Sequence, residues 1–159
     1  MLVNFGIVGP RPILRTVRSM VSIFRDADEV YRHLGGLFEY VVADETLADV
    51  AAATGLVARL RLTDPDCVLV VDFPGKKVFL GEAGAGVAAA FELDMKADVA
   101  HALWLGRISP VTLLATRRVR VRGSARKLLR MQSLGQRLIP VYEKLLRDAN
   151  REDLLAAPA

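Results

Sequence analysis

The sequence predicts an α+β domain: a five-stranded, mainly antiparallel sheet covered by helices. Three observations carry that expectation. The 159 residues are 52% hydrophobic and 25% charged, the composition of a chain that buries a core rather than staying disordered. Period-2 alternation recurs at Val57 to Thr63, Ala88 to Asp94 and Arg117 to Arg122, with a continuous apolar run at Cys67 to Phe73 and a further strand at Lys77 to Gly81 between them. Helical periods flank these strands on both sides.

Taken in order, Met1 to Arg25 reads as a separate arginine-bearing segment. Gly6, Gly9, Pro10 and Pro12 break its start, and Ile13, Val17, Met20, Val21 and Phe24 follow helical spacing over Arg15 to Phe24. A helix packed on the domain is the first reading; a membrane-surface anchor and a transit peptide are its alternatives. The domain proper is expected over residues 26–150, and residues 151–159 as a frayed tail.

Asp26 and Glu29 have capping-box spacing and open a helix presenting Val30, Leu34, Leu37, Phe38 and Val41. Gly35-Gly36 in its middle costs roughly 1–2 kcal/mol in propensity, which predicts close packing or a bend there. His33 falls outside the apolar stripe and reads as solvated or capping. Asp44 or Thr46 caps a second helix, Leu47 to Ala53, ended by Gly55.

Val57 to Thr63 turns inward at Ala58, Leu60 and Leu62. Asp64-Pro65-Asp66 turns the chain into the apolar run, and Phe73-Pro74-Gly75-Lys76 turns it again into Lys77 to Gly81. Gly81, Gly84 and Gly86 then link to the strand ending in Phe91, Leu93 and Met95. Links this short predict hairpins, hence an antiparallel meander of four strands.

From Asp98 the period changes: Val99, Ala102, Leu103 and Gly106 share one helical face, and Gly106 stops it. Ser109-Pro110 is an N-cap followed by proline at the first helical position, opening a short apolar helix over Val111 to Ala115. The fifth strand places Val119 and Val121 inward. Ser124 caps a last helix with a stripe at Met131, Leu134, Leu138, Val141 and Leu145, and Pro140 is expected to kink it near Gln136.

The net charge of +4 is unevenly placed. Residues 26–94 carry 5 basic and 13 acidic side chains, while residues 95–159 carry 13 basic and 5 acidic. Arg118, Arg120, Arg122, Arg126, Lys127 and Arg130 form a run without an acid. It reads as an anion- or membrane-facing surface. Interleaved aromatics, the stacking platforms of nucleic-acid binders, are missing from it, so no nucleic-acid partner is expected.

Two histidines and one cysteine are too few and scattered for the usual zinc spacings. Ser124 and Ser133 lack a nucleophile-elbow context, and Gly84-Ala85-Gly86 lacks the strand–helix context of a dinucleotide site. His101 reads as a satisfied surface histidine, with a polar handle for a ligand headgroup as the alternative. Cys67 reads as a small buried hydrophobe. No catalytic residue, metal site or cofactor is expected, and hence no enzyme. One cysteine and no apolar run near the ~18 residues of a bilayer span suggest a soluble, cytoplasmic protein. Its alanine- and arginine-rich composition hints at a bacterial source.

The acid-led helix Asp98 to Leu105, the Gly106-Arg107-Ile108-Ser109-Pro110 break, Leu113-Leu114, and the strand Val119 to Gly123 running into the final helix resemble the sterol-carrier-protein-2 (SCP-2-like) lipid-binding family. By order of elements the resemblance covers roughly Glu29 to Leu146. It implies a five-stranded sheet and helices enclosing a hydrophobic tunnel, and non-catalytic binding or transport of a sterol, fatty acyl chain or polyprenyl quinone. An accessory or scaffold subunit presenting such an intermediate to lipid or isoprenoid pathway enzymes is the second reading. Candidate walls are Phe79, Phe91, Leu93, Leu103, Trp104, Leu113, Leu114, Met131, Leu134 and Leu138. Partners are then a hydrophobic small molecule, peripheral contact with a membrane, and a pathway enzyme.

Overall fold

The computed structural model describes residues 22–157. The predicted amphipathic segment up to residue 21 lies outside them. Ser22–Phe24, the end of that predicted helix, are not helical, and Phe24 is buried.

The Asp26 carboxylate accepts from the Glu29 N–H, the predicted capping bond, and starts α1 (Ala27–Val30). A π turn, Tyr31–Gly35, carries the chain into α2 (Gly36–Ala43). The expected irregularity at Gly35 therefore takes the form of a widened turn. A Cβ there would lie 3.1 Å from Leu80 Cδ2, so the missing side chain lets this turn approach the sheet closely. Asp44 caps α3 (Glu45–Ala52).

Five strands follow: β1 (Val57–Thr63), β2 (Cys67–Asp72), β3 (Lys77–Leu80), β4 (Phe91–Lys96) and β5 (Val119–Arg122). Their spatial order is β3-β2-β1-β4-β5. β1–β2, β2–β3 and β4–β5 are antiparallel, and β1–β4 is parallel. The sheet is thus mainly antiparallel, as predicted, but the four-strand meander is not formed. Only its first three strands make successive hairpins. Residues 81–90 are long enough to cross the sheet to the far side of β1, a span of about three strand spacings of ~4.8 Å. A 3-10 turn, Gly81–Gly84, starts this crossing. Gly84 is seated where a Cβ would come 2.7 Å from Val70 Cγ2, and the Arg59 guanidinium donates to the carbonyls of Gly84 and Val87. Both contacts fix the link to the outer face of the sheet.

α4 (Ala97–Trp104), α5 (Pro110–Ala115) and the 24-residue α6 (Ala125–Asp148) complete the domain, with α1 and α2, over the inner face. That face is built by alternation: Ala58, Leu60 and Leu62 on β1, Leu69 and Val71 on β2, Phe91, Leu93 and Met95 on β4. Each of these leucine, valine, phenylalanine and methionine side chains, buried, stabilises the fold by about 1.5–3 kcal/mol. Ser109 caps α5 as predicted, whereas Ser124 stands at the N-cap of α6 without a capping bond from its side chain. Helix α6 continues on both sides of Pro140. The chain end is not frayed at Arg151. It forms α7 (Glu152–Ala156), which buries Leu154, because Arg151 and that leucine both find partners on the domain.

Candidate functional site

An apolar cleft of about 150 Å³ opens between the α4–α5 turn and the first half of α6. Its floor is Leu93 of β4, and Leu103 and Trp104 of α4 form one wall. Ile108, Ser109 and Pro110 form the lip on one side, and Leu128, Met131 and Gly135 of α6 face them. Three local features shape it. Gly106, at φ +70°, turns the chain after α4 in a conformation that favours glycine, and a Cβ there would reach to 2.5 Å from Ile139 Cδ1. Pro110 starts α5 directly behind its Ser109 cap. Gly135 leaves the Trp104 ring open to α6, since even a Cβ there would stand 3.9 Å from Trp104 Cζ3.

Of the ten predicted wall residues, Leu93, Leu103, Trp104 and Met131 line this cleft. Phe91, Leu113, Leu134 and Leu138 are fully buried and fill the core instead. Leu114 is half-buried on α5, away from the lining. Phe79 stands on the opposite face of the sheet. It pairs with Val70 across β2–β3, one residue out of phase with the inward Leu69 and Val71, and Gly84 covers it. The period-2 rule should have placed Phe79 there, since Val78 and Leu80 are the inward pair. The tunnel that the resemblance implies stays an expectation; what these residues enclose is a cleft.

Sequence reasoning missed the second stripe of α6. Leu128, Gln132, Gly135 and Ile139 recur at spacings of 4, 3 and 4, beside the stripe that fills the core. A glycine and a glutamine broke its apolar signature. Trp104 packs edge-on against Phe38 at 5.1 Å between ring centroids, and its Nε1 has no hydrogen-bond partner among the described residues.

A polar cluster lies behind the cleft. His101, read as a surface residue, is buried: Nε2 lies 2.8 Å from the Leu154 carbonyl and Nδ1 2.8 Å from the Tyr142 hydroxyl. A carbonyl only accepts, so Nε2 carries the proton and Nδ1 accepts from Tyr142. Both ring nitrogens are engaged, which leaves none for a ligand headgroup or proton transfer. Burial, with the nearby Arg107 charge, holds the His101 pKa below the ordinary histidine value. His33 is buried too, with Nε2 3.1 Å from the Arg151 guanidinium; burial and then that charge lower its pKa. Arg151 also pairs with Glu29 and Asp153. Burial alone would raise the Glu29 pKa, but the Arg25 N–H and Arg151 outweigh it and hold the carboxyl below its ordinary range. Among the described residues no group of three His, Cys, Asp or Glu side chains gathers as metal ligands would.

On the outer face of the sheet Arg122 lies 3.4 Å from Asp94; Arg118 and Arg120 beside it, and Arg126, Lys127 and Arg130 on α6, form no ion pair among the described residues. No described helix is long and apolar enough to cross a membrane.

Residues 37–136 match the model of the SCP-2 sterol transfer family. The sterol carrier protein domain 2 of Helicoverpa armigera shares the fold at 13% identity and TM-score 0.56, over 70% of this chain and 88% of that one. Apo sterol carrier protein 2 from Yarrowia lipolytica is similar at 15% identity and TM-score 0.51, over 66% of this chain and 88% of that one. At these identities the likeness is one of fold. Comparison with curated proteins gives no match.

Proposed function

We propose that this chain, which belongs to the SCP-2 sterol transfer family, binds a hydrophobic, lipid-like molecule without transforming it. The observation that carries this reading is the cleft itself, an apolar space where α4, α5 and α6 leave the core incompletely filled. Its body suits a sterol, a fatty acyl chain or a polyprenyl quinone, and Ser109, Gln132 and Gln136 supply a few polar atoms to orient one end. Burial stabilises such a guest by ~25 cal/mol per Å² of apolar surface, less the cost of ordering it.

At about 150 Å³ the cleft holds less than the roughly 300–1,000 Å³ of pockets for molecules of this size. Uptake therefore requires a wall to move, and the first half of α6 is that wall. Its second half is tied down by Tyr142 to His101 and stiffened by the Glu143–Arg147 and Lys144–Asp148 pairs. Gly135 and the missing N–H of Pro140, which leaves the Gln136 carbonyl without a helical donor, separate the two halves.

Trp104 is the sole tryptophan, so its emission reports on the cleft directly. Titration with fatty acid and sterol analogues is expected to change that emission saturably at one equivalent. No change, with no analogue retained on gel filtration, would contradict the reading.

A further inference from the structure

We propose that Trp104 sets the chemical class and orientation of the guest, its indole N–H donating to an uncharged acceptor oxygen on the lipid, a ketone, ester or quinone carbonyl; this rests on the lipid-binding reading of the cleft and deepens it. Two buried side-chain polar atoms lack a hydrogen-bond partner among the described residues, Asp94 Oδ1 and Trp104 Nε1. The other oxygen of Asp94 is engaged by Arg122 on the outer face of the sheet. Trp104 has a single polar atom, so its side chain is wholly unpartnered, and at 4% exposure it is screened from bulk water. A buried donor without an acceptor is a standing cost to the fold, and native structures keep few of them.

The cleft that Trp104 borders offers this donor little. Leu93, Leu103, Ile108, Leu128, Met131 and Ile139 carry no side-chain oxygen or nitrogen. Ser109 Oγ is already committed to the N–H and hydroxyl of Thr112. Phe38 meets the indole edge to face at 5.1 Å and supplies only a ring. A guest that brings an acceptor oxygen to Trp104 therefore gains a hydrogen bond that a pure hydrocarbon cannot make.

Charge narrows the class further. No charged side chain lines the cleft. Arg107, between Gly106 and Ile108, donates instead to the Leu155 and Ala157 carbonyls of the C-terminal segment. An ionised headgroup carried to Trp104 would be buried without a counter-charge, at a cost larger than one hydrogen bond returns. A fatty acid accordingly enters chain first, with its carboxylate left at the mouth beside the exposed Gln132 and Gln136. A neutral carbonyl goes to the indole.

The test removes the N–H and keeps the shape. Trp104 is the sole tryptophan, so the benzothiophene analogue of tryptophan, with sulfur in place of the N–H, can be incorporated at that site alone. Trp104→Phe is the encoded counterpart. Binding of methyl nonyl ketone, undecane and undecanoate is measured by equilibrium partition at neutral pH. On the benzothiophene protein the ketone is expected to lose about tenfold, and the other two guests to stay within about twofold, as loss of one buried hydrogen bond requires. On Trp104→Phe the loss for the ketone should exceed that for undecane by a similar factor. With the indole nitrogen isotope-labelled, the single indole N–H resonance of the unaltered protein should move downfield with the ketone and not with undecane.

A ketone affinity unmoved by loss of the N–H, or three guests weakened alike, would overturn the proposal. So would a ketone-saturated protein whose indole resonance stays in place, the result expected if the N–H rests on the Phe38 ring. Undecane retained without any such ketone effect removes this assignment and leaves lipid binding standing. Failure of the unaltered protein to retain any of the three removes both.

Discussion

His101 and Tyr142 meet in the interior, with Nδ1 2.8 Å from the phenolic oxygen and the rings edge to face at 5.4 Å. This contact joins α4 to the second half of α6, and the Leu154 carbonyl on the other ring nitrogen joins both to α7. Burial, with the nearby Arg107 charge, favours the neutral histidine, whose Nδ1 accepts from the phenol. Tyr142→Phe removes the donor to Nδ1 and should cost about 1–3 kcal/mol, read by chemical denaturation.

Stability should also depend on pH in a definite direction. Both His101 and His33 have pKa values below their ordinary ones, so the folded state binds fewer protons than the unfolded state on the acid side of about 6.5. The groups around them are Arg107 and Asp98 for His101, and Arg151, Glu29, Arg32 and Asp153 for His33. Stability is full above that pH and falls as pH drops through the window beneath it, by up to ~1.4 kcal/mol per unit for each histidine. Urea unfolding at pH 7.5 and 5.5 checks this; equal midpoints would count against buried, neutral histidines.

Arg151 holds Glu29, which is only 2% exposed, against the interior edge of α1. Arg151→Ala leaves that carboxylate short of its main charge partner and should cost about 3 kcal/mol, with loss of protection in α7 by hydrogen exchange. The double change with Glu29→Gln should recover part of the loss, since it removes the stranded charge.

Cys67 is buried at the start of β2, and burial together with Asp66 pushes its thiol up to about 11. The native protein should therefore react with a disulfide reagent only at the rate of unfolding, and promptly in denaturant.

Much of this fold was legible because its signals are local. Capping residues such as Asp26 and Ser109, the alternation of β1, β4 and β5, and the Gly106 stop each act within a few positions. The parallel β1–β4 pair was not, because partner choice depends on where the 81–90 link leads, which its glycines do not encode. Phe79 was assigned to the wrong face by apolarity when its phase with Val78 and Leu80 argued otherwise. The buried histidines escaped because what buries them is distant in sequence: Leu154 for His101 and Arg151 for His33. At the site, Leu103 and Met131 followed from helical stripes, while Trp104 lay outside the stripe read for its helix. The opposing lip did not follow, because a gap between helices is set by Gly106 and Gly135, residues that contribute no apolar signal of their own.

Gly135 gives independent control of the cleft. Gly135→Ala has room and replaces a helix-interior glycine, so it should stabilise the protein by up to about 1 kcal/mol. Gly135→Leu projects toward Trp104 and should fill the space, leaving a folded protein with uptake reduced at least tenfold.

The most direct measurement is native mass spectrometry of the purified protein, followed by solvent extraction and identification of what it carries, with Gly135→Leu alongside. The account predicts one apolar guest per chain on the unaltered protein and none on the variant. An empty protein that also refuses added fatty acid and sterol, or a guest that Gly135→Leu retains unchanged, would contradict it.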